Sequence, residues 1–204
     1  MNDSAAKVEK IVALLVEKFA AKRDEEAKWD ACIVLSREYL HDAVDYLKNA
    51  CDVKFDMLLD VAGIDYQTYE GHEGFRFAVS YAFKSMANPG CRLRLKVNLS
   101  EADLKVQSIT DLYASADWLE REAYDQYGIQ FVGHPDLRRI LNHVEFVGHP
   151  LRKDYPAHKR QWLSTSDFLI PELEKRLESK GYRVIERSEN IDPVDDEFLE
   201  GSRK

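Results

Sequence analysis

The sequence predicts an α+β fold: a two-layer domain of helices packed on a mixed sheet with a β-hairpin, followed by an extended, irregular C-terminal segment. Three observations carry this. A helix-period apolar stripe opens the chain, two alternating runs meet at a Pro-Gly turn, and after Gly128 both periods give way to a stretch rich in Gly, His, Pro and Arg. The order helix, strand, helix and then a meander sets helices on one face of a sheet. A wholly parallel sheet would need a helix between successive strands, and none separates the two hairpin strands.

Taken in order, Val8, Ile11, Val12, Leu15 and Phe19 fall at i, i+3, i+4, i+7 and i+11, the spacing of an amphipathic helix. Its other side carries Lys7, Lys10, Glu17, Lys18 and Lys22, a solvated face. Trp29 to Leu35 reads as a short buried strand, with Cys32 a small hydrophobe inside it. Ser36 can cap a helix striped by Leu40, Ala43, Val44 and Leu47, and Phe55 to Val61 is a second short strand. Phe75, Phe77, Val79, Tyr81 and Phe83 then alternate on one face. After Asn88-Pro89-Gly90, Leu93, Leu95, Val97 and Leu99 alternate with Arg92, Arg94, Lys96 and Asn98, completing a hairpin that is apolar on one side.

From residue 115 the character changes. Ser115-Ala116-Asp117 opens a helix with Ala116, Leu119, Ala123 and Tyr127 on one face, Glu120, Arg121, Glu122 and Asp125 crowding the rest, and Gly128 as its stop. Phe131-Val132-Gly133-His134-Pro135 returns fifteen residues later as Phe146-Val147-Gly148-His149-Pro150, which reads as one local turn used twice. Asp167 to Lys180 offers a short helix in which Pro171 is tolerable only near the start, Gly181 ends it, and Tyr182 to Ile185 suits an edge strand. Glu186 to Lys204 holds seven acids and three bases with few apolar residues, a segment expected to be disordered or laid along a partner. The expected organisation is an α+β domain over 1–114, a docking helix and Gly-His-Pro segment packed on it over 115–160, and an extension over 161–204.

Composition narrows the function. With 29 Lys and Arg against 37 Asp and Glu, the net charge of −8 disfavours wrapping a phosphate backbone, so no nucleic-acid partner is expected. No apolar run is long enough to span a bilayer, and Met1 to Ser4 lacks the basic start of a signal peptide. Cys32, Cys51 and Cys91 are scattered, whereas an iron–sulfur cluster held by cysteines takes four thiolates. The expectation is a cytosolic, cofactor-poor chain.

Four of the six histidines, His134, His143, His149 and His158, lie within twenty-five residues, among Asp125, Asp136, Arg138, Arg139, Arg152, Lys153 and Asp154. Three readings compete. A metal site lacks both a His-x-x-x-His helix and a Cys-His pattern. A His-dependent hydrolase, with Glu120 or Asp125 orienting the base, lacks a nucleophile motif. A protein-docking surface suits the balance of seven bases and six acids between Trp118 and Arg160, interleaved with Trp118, Tyr124, Tyr127, Phe131, Phe146 and Tyr155. On that reading Glu120, Arg121, Glu122, Asp125, His134, Asp136, Arg138, Arg139, His149, Arg152, Lys153 and Asp154 are interface candidates, with Arg138, Arg139 and Arg152 aimed outward by the neighbouring Gly-His-Pro turns. Arg139→Ala should then weaken assembly while barely moving the melting temperature of the chain itself.

The run Trp118-Leu119-Glu120-Arg121-Glu122-Ala123-Tyr124-Asp125, with Tyr127-Gly128-Ile129, Gly133-His134-Pro135-Asp136-Leu137-Arg138-Arg139-Ile140-Leu141 and Gly148-His149-Pro150-Leu151-Arg152-Lys153-Asp154-Tyr155-Pro156, resembles one family. It is the 30-kilodalton subunit family of proton-pumping NADH:quinone oxidoreductase, respiratory complex I. Leu58-Leu59-Asp60-Val61-Ala62-Gly63-Ile64-Asp65 resembles its N-terminal half, and the likeness spans roughly residues 30 to 158. Gln126 departs from the apolar residue expected there. The resemblance implies a cofactor-free scaffold of the peripheral arm, with FMN and Fe-S clusters carried by partner subunits. It implies docking to the large hydrogenase-like quinone-site subunit, near the small Fe-S subunit and other arm subunits. It also implies a peripheral place on the cytoplasmic face of the bacterial inner membrane. Related membrane-bound hydrogenases and complex-I-like dehydrogenases carry an equivalent subunit.

Overall fold

The computed structural model describes residues 3–182, apart from 26, 73, 160, 162 and 163. Two compact units divide the chain, residues 1–160 and 161–204.

In the first unit, α1 (Asp3–Phe19) buries the expected stripe of Val8, Ile11, Val12, Leu15 and Phe19. Asp3 in its first turn and Lys18 in its last complement the helix dipole. The chain then passes through β1 (Lys22–Arg23) and β2 (Ala31–Leu35), a 3-10 turn over Arg37–Tyr39, α2 (Leu40–Asp45) and a π-turn over Tyr46–Ala50. Strands β3 (Met57–Asp65), β4 (Phe77–Lys84) and β5 (Arg92–Leu99) form the meander. The sheet order is β1-β2-β5-β4-β3, antiparallel except for β2 against β5, so the sheet is mixed as expected.

Register explains the core. Phe77, Val79, Tyr81 and Phe83 stand opposite Leu99, Val97, Leu95 and Leu93, and all eight are fully buried or nearly so. Ile33 and Leu35 continue these rows on β2. Stripes from α1 and α2 close over this face, and the Tyr113 hydroxyl donates to the Phe55 carbonyl beneath them.

Some boundaries shift. Trp29 lies outside β2 at 90% exposure, and Phe75 lies outside β4, half exposed. Strand β3 runs four residues past the expected Val61 and carries a bulge between Leu58 and Asp60. The extra residue lets Leu58 and Val61, an odd spacing apart, both face the core, which hides the strand from a period-2 reading.

Beyond the meander come β6 (Lys105–Gln107), α3 (Ala116–Tyr127) and β7 (Gln130–Val132), with β7 pairing parallel to β6. Helix α3 packs across β3. A Cβ on Gly63 would drive into the Tyr127 ring, so only glycine admits the helix this close.

The second unit contains α4 (Ser164–Ser179). The helix starts before Asp167, which places Pro171 in its interior and not near its start. The Tyr182 and Gly181 amides cap it on the Leu177 and Glu178 carbonyls. Leu169, Ile170, Leu173 and Leu177 are exposed along it. The expected strand beyond Tyr182 and the acidic tail lie outside the described residues.

Candidate functional site

Helix α3 ends at Gly128, whose φ of 77° and missing side chain permit the left-handed cap; its amide donates to the Tyr124 carbonyl at 2.8 Å. The loops that follow fold back over the helix. Their anchor is Asp125, fully buried, whose Oδ2 accepts the backbone amides of Ile140, Leu141 and Asn142 at 3.1, 2.9 and 2.8 Å. Its Oδ1 accepts from Arg139 Nη1 at 2.6 Å. Burial disfavours the charge, but these donors outweigh it and hold the Asp125 carboxyl down at about 2.

The repeated turns use histidine to grip the helix backbone. His134 Nδ1 accepts the Asp136 amide at 3.0 Å, so its Nε2 carries the proton and donates to the Asp117 carbonyl at 3.1 Å. His149 is turned the other way: Nδ1 donates to the Asp125 carbonyl at 3.0 Å. Gly133 and Gly148 share the same positive φ, 87° and 96°. The echo in the sequence is thus one device applied near each end of α3.

Two further networks complete the region. Arg76 pairs with Asp65 at 3.1 Å, with Glu101, and with Asp154 at 2.9 Å, while Asp65 also accepts the Lys153 amide at 2.9 Å. Glu120 is fully buried under α3, accepting from Ser108 Oγ at 2.6 Å and the Ile109 amide at 2.9 Å. Burial dominates there and pushes its carboxyl up to about 7, against the opposing pull of those two donors.

The structure therefore rearranges the polar block. Glu120, Arg121 and Asp125, expected on the free surface of α3, are buried: the loops after Gly128 roof Arg121 and Asp125, and the segment of Ser108 and Ile109 before the helix covers Glu120. Gln126 is buried with them and receives the Leu151 amide at 3.2 Å. Arg121 donates to the carbonyls of Arg138 and Arg139 and lies over the Trp118 ring. Arg139 is not aimed outward: it bonds Asp125 and, through Nη2, the Gly148 carbonyl at 2.9 Å. Arg152 is half-buried and donates Nε to the Tyr127 carbonyl at 2.7 Å. Arg138 does face outward, paired with Asp136 at 2.9 Å, and Glu122, Lys153 and Asp154 are exposed. Leu141, Val144, Val147 and Leu151 are exposed along the loops that follow Gly128. The hydrolase reading gains no support, since His134 and His149 are engaged by helix carbonyls. Asp65, Arg76 and Ser108 are structural anchors absent from the candidates. Asp65 was findable as an acid on the inward row of β3, two residues past Gly63.

The fold is shared with solved proteins. The solved trypsin-resistant fragment (1–134) of Nqo5 superposes with a TM-score of 0.58 at 33% identity, over 64% of this chain and 99% of that one. A membrane-bound sulfane sulfur reductase, an archaeal respiratory membrane complex, contains a chain with the same fold at a TM-score of 0.58 and 20% identity, over 92% and 96% of the two chains. The C-subunit of NADH-quinone oxidoreductase from Neisseria meningitidis serogroup B is 40% identical over 159 residues, 76% of this chain and 74% of its own length. The corresponding NADH-quinone oxidoreductase chain of Burkholderia mallei is 41% identical over 158 residues, 75% and 78% of the two chains. The family model for the respiratory-chain NADH dehydrogenase 30 kDa subunit matches residues 33–161, the span that holds the β3–β5 meander, α3 and both clasps, and the chain belongs to that family.

Proposed function

We propose that this chain is a cofactor-free scaffold subunit in the peripheral arm of a proton-translocating NADH:quinone oxidoreductase. It docks to the large hydrogenase-like subunit at the quinone site, beside the small Fe-S subunit. Electrons pass from NADH through FMN and Fe-S clusters of those neighbours to quinone, and this chain supplies binding surface and alignment. It is held peripherally, through the complex, on the cytoplasmic face of a bacterial inner membrane. Among the described residues, no helix is long and apolar enough to cross a membrane.

The observation that carries this reading is the loop surface built on Asp125. Three backbone amides and an arginine are fixed by one buried carboxylate, so the loop from Arg139 to Gly148 is organised before any partner arrives. Pre-organisation of this kind lowers the ordering cost of association. Leu141, Val144, Val147 and Leu151 give that surface its apolar contact area, with Asp136, Arg138, Lys153 and Asp154 as a polar rim. The names of the relatives at 40% and 41% identity favour NADH and quinone over other donors and acceptors.

Affinity purification of the tagged full chain from its native host tests the proposal. The large and small subunits should co-purify with NADH:quinone reductase activity. A chain that purifies alone, or that holds stoichiometric flavin or iron by itself, contradicts it.

A further inference from the structure

Arg152 differs from Arg121 and Arg139 in how little of its hydrogen-bonding capacity is used. Nε is committed to the Tyr127 carbonyl at 2.7 Å, and the guanidinium lies over the Phe77 ring at 5.2 Å. Gly128 makes room for it: a Cβ there would meet Arg152 Nη2 at 2.5 Å and His149 Nε2 at 2.6 Å. The group is therefore held in one orientation, yet among the described residues nothing accepts from its two terminal nitrogens and no carboxylate lies within ion-pair distance.

The nearby acids are already engaged. Asp65, Glu101 and Asp154 pair with Arg76, and Asp125 with Arg139. His149, whose Nδ1 donates to the Asp125 carbonyl, presents only a lone pair at Nε2 when neutral. Burial and the charges of Arg152 and Arg139 favour that neutral form. Burial likewise disfavours the charge on Arg152. A fixed, partly desolvated cation with both outer donors unused is complementary to a planar two-oxygen acceptor. Exposed Leu151 directly precedes it in the chain, and exposed Val147 lies earlier in the same loop, apolar side chains of the kind that keep water from such a pair once a partner covers them.

We propose that the terminal nitrogens of Arg152 receive a carboxylate side chain from a neighbouring subunit of the complex. The proposal rests on the docking reading above and adds the contact point and its chemistry.

Zero-length carbodiimide coupling, which joins an amine to a carboxylate in contact, tests it on the assembled complex carrying Arg152→Lys. Mass spectrometry should map a cross-link from position 152, distinct from Lys153, to an Asp or Glu of another subunit. Arg152→Gln, which keeps an N–H for the Tyr127 carbonyl, should reduce recovery of assembled complex by roughly tenfold or more, with the unfolding midpoint of the full chain nearly unchanged. Wild-type recovery with Arg152→Gln, or coupling only to Asp65, Glu101 or Asp154 of the same chain, overturns this proposal alone. A wild-type chain that brings no subunit along overturns the docking reading and this proposal with it.

Discussion

Arg139 closes on Asp125 across fourteen residues of chain, Nη1 to Oδ1 at 2.6 Å, with the carboxylate fully buried and the arginine partly so. The pair sits inside the chain, with both carboxylate oxygens and both terminal guanidinium nitrogens bonded, the condition under which a buried ion pair is worth keeping.

Arg139→Ala should therefore destabilise the chain itself, by about 3 kcal/mol or more, because the Asp125 charge stays buried with one donor lost. Reduced assembly would follow from that instability, in place of the unchanged melting temperature that an outward-facing arginine implies. Urea unfolding of the full chain measures it. Amide exchange at Ile140, Leu141 and Asn142 should accelerate in parallel.

Glu120 gives a pH signature. Its carboxyl titrates at about 7 in the fold, against 4.5 for an ordinary Glu. A raised folded-state value means its contribution to stability is complete below about pH 4.5 and is lost as pH rises through 7. The loss is on the order of 3 kcal/mol. Glu120→Gln can still accept the Ile109 amide, and its stability should be flatter between pH 5 and 8 than the wild type's. Parallel pH profiles for the two proteins would count against this origin.

Gly63→Ala should cost about 1–3 kcal/mol, since its Cβ would enter the Tyr127 ring. Tyr127→Ala removes the clash along with the ring's own packing, so the double variant should be less destabilised than the two single effects combined. A double-mutant cycle by thermal unfolding reads the coupling, and strict additivity would place the helix elsewhere than over β3.

The hairpin and α1 were legible in the sequence because one face of each is buried and their apolar periods are unbroken, as Phe77 to Phe83 and Val8 to Phe19 show. Strand β3 was only half legible, since its bulge breaks the period at Leu59. The charged face of α3 reads as solvent-facing in the sequence for a different reason. Glu120 and Asp125 are satisfied by Ser108 and by Ile140 to Asn142, partners far enough along the chain that no local pattern announces them. What local pattern did reveal was the doubled Gly-His-Pro turn, though not that both copies close on the same helix.

That last arrangement makes α3 a ruler. The two histidines hook carbonyls eight residues apart, about 12 Å along the helix axis and a little over two turns. One residue inserted between Asp117 and Asp125 would turn one hook's target through roughly 100° away from its histidine. The same insertion in the exposed stretch around Val144 would leave both hooks seated. Length variation among related chains should therefore gather in that loop, while the helix keeps a fixed count.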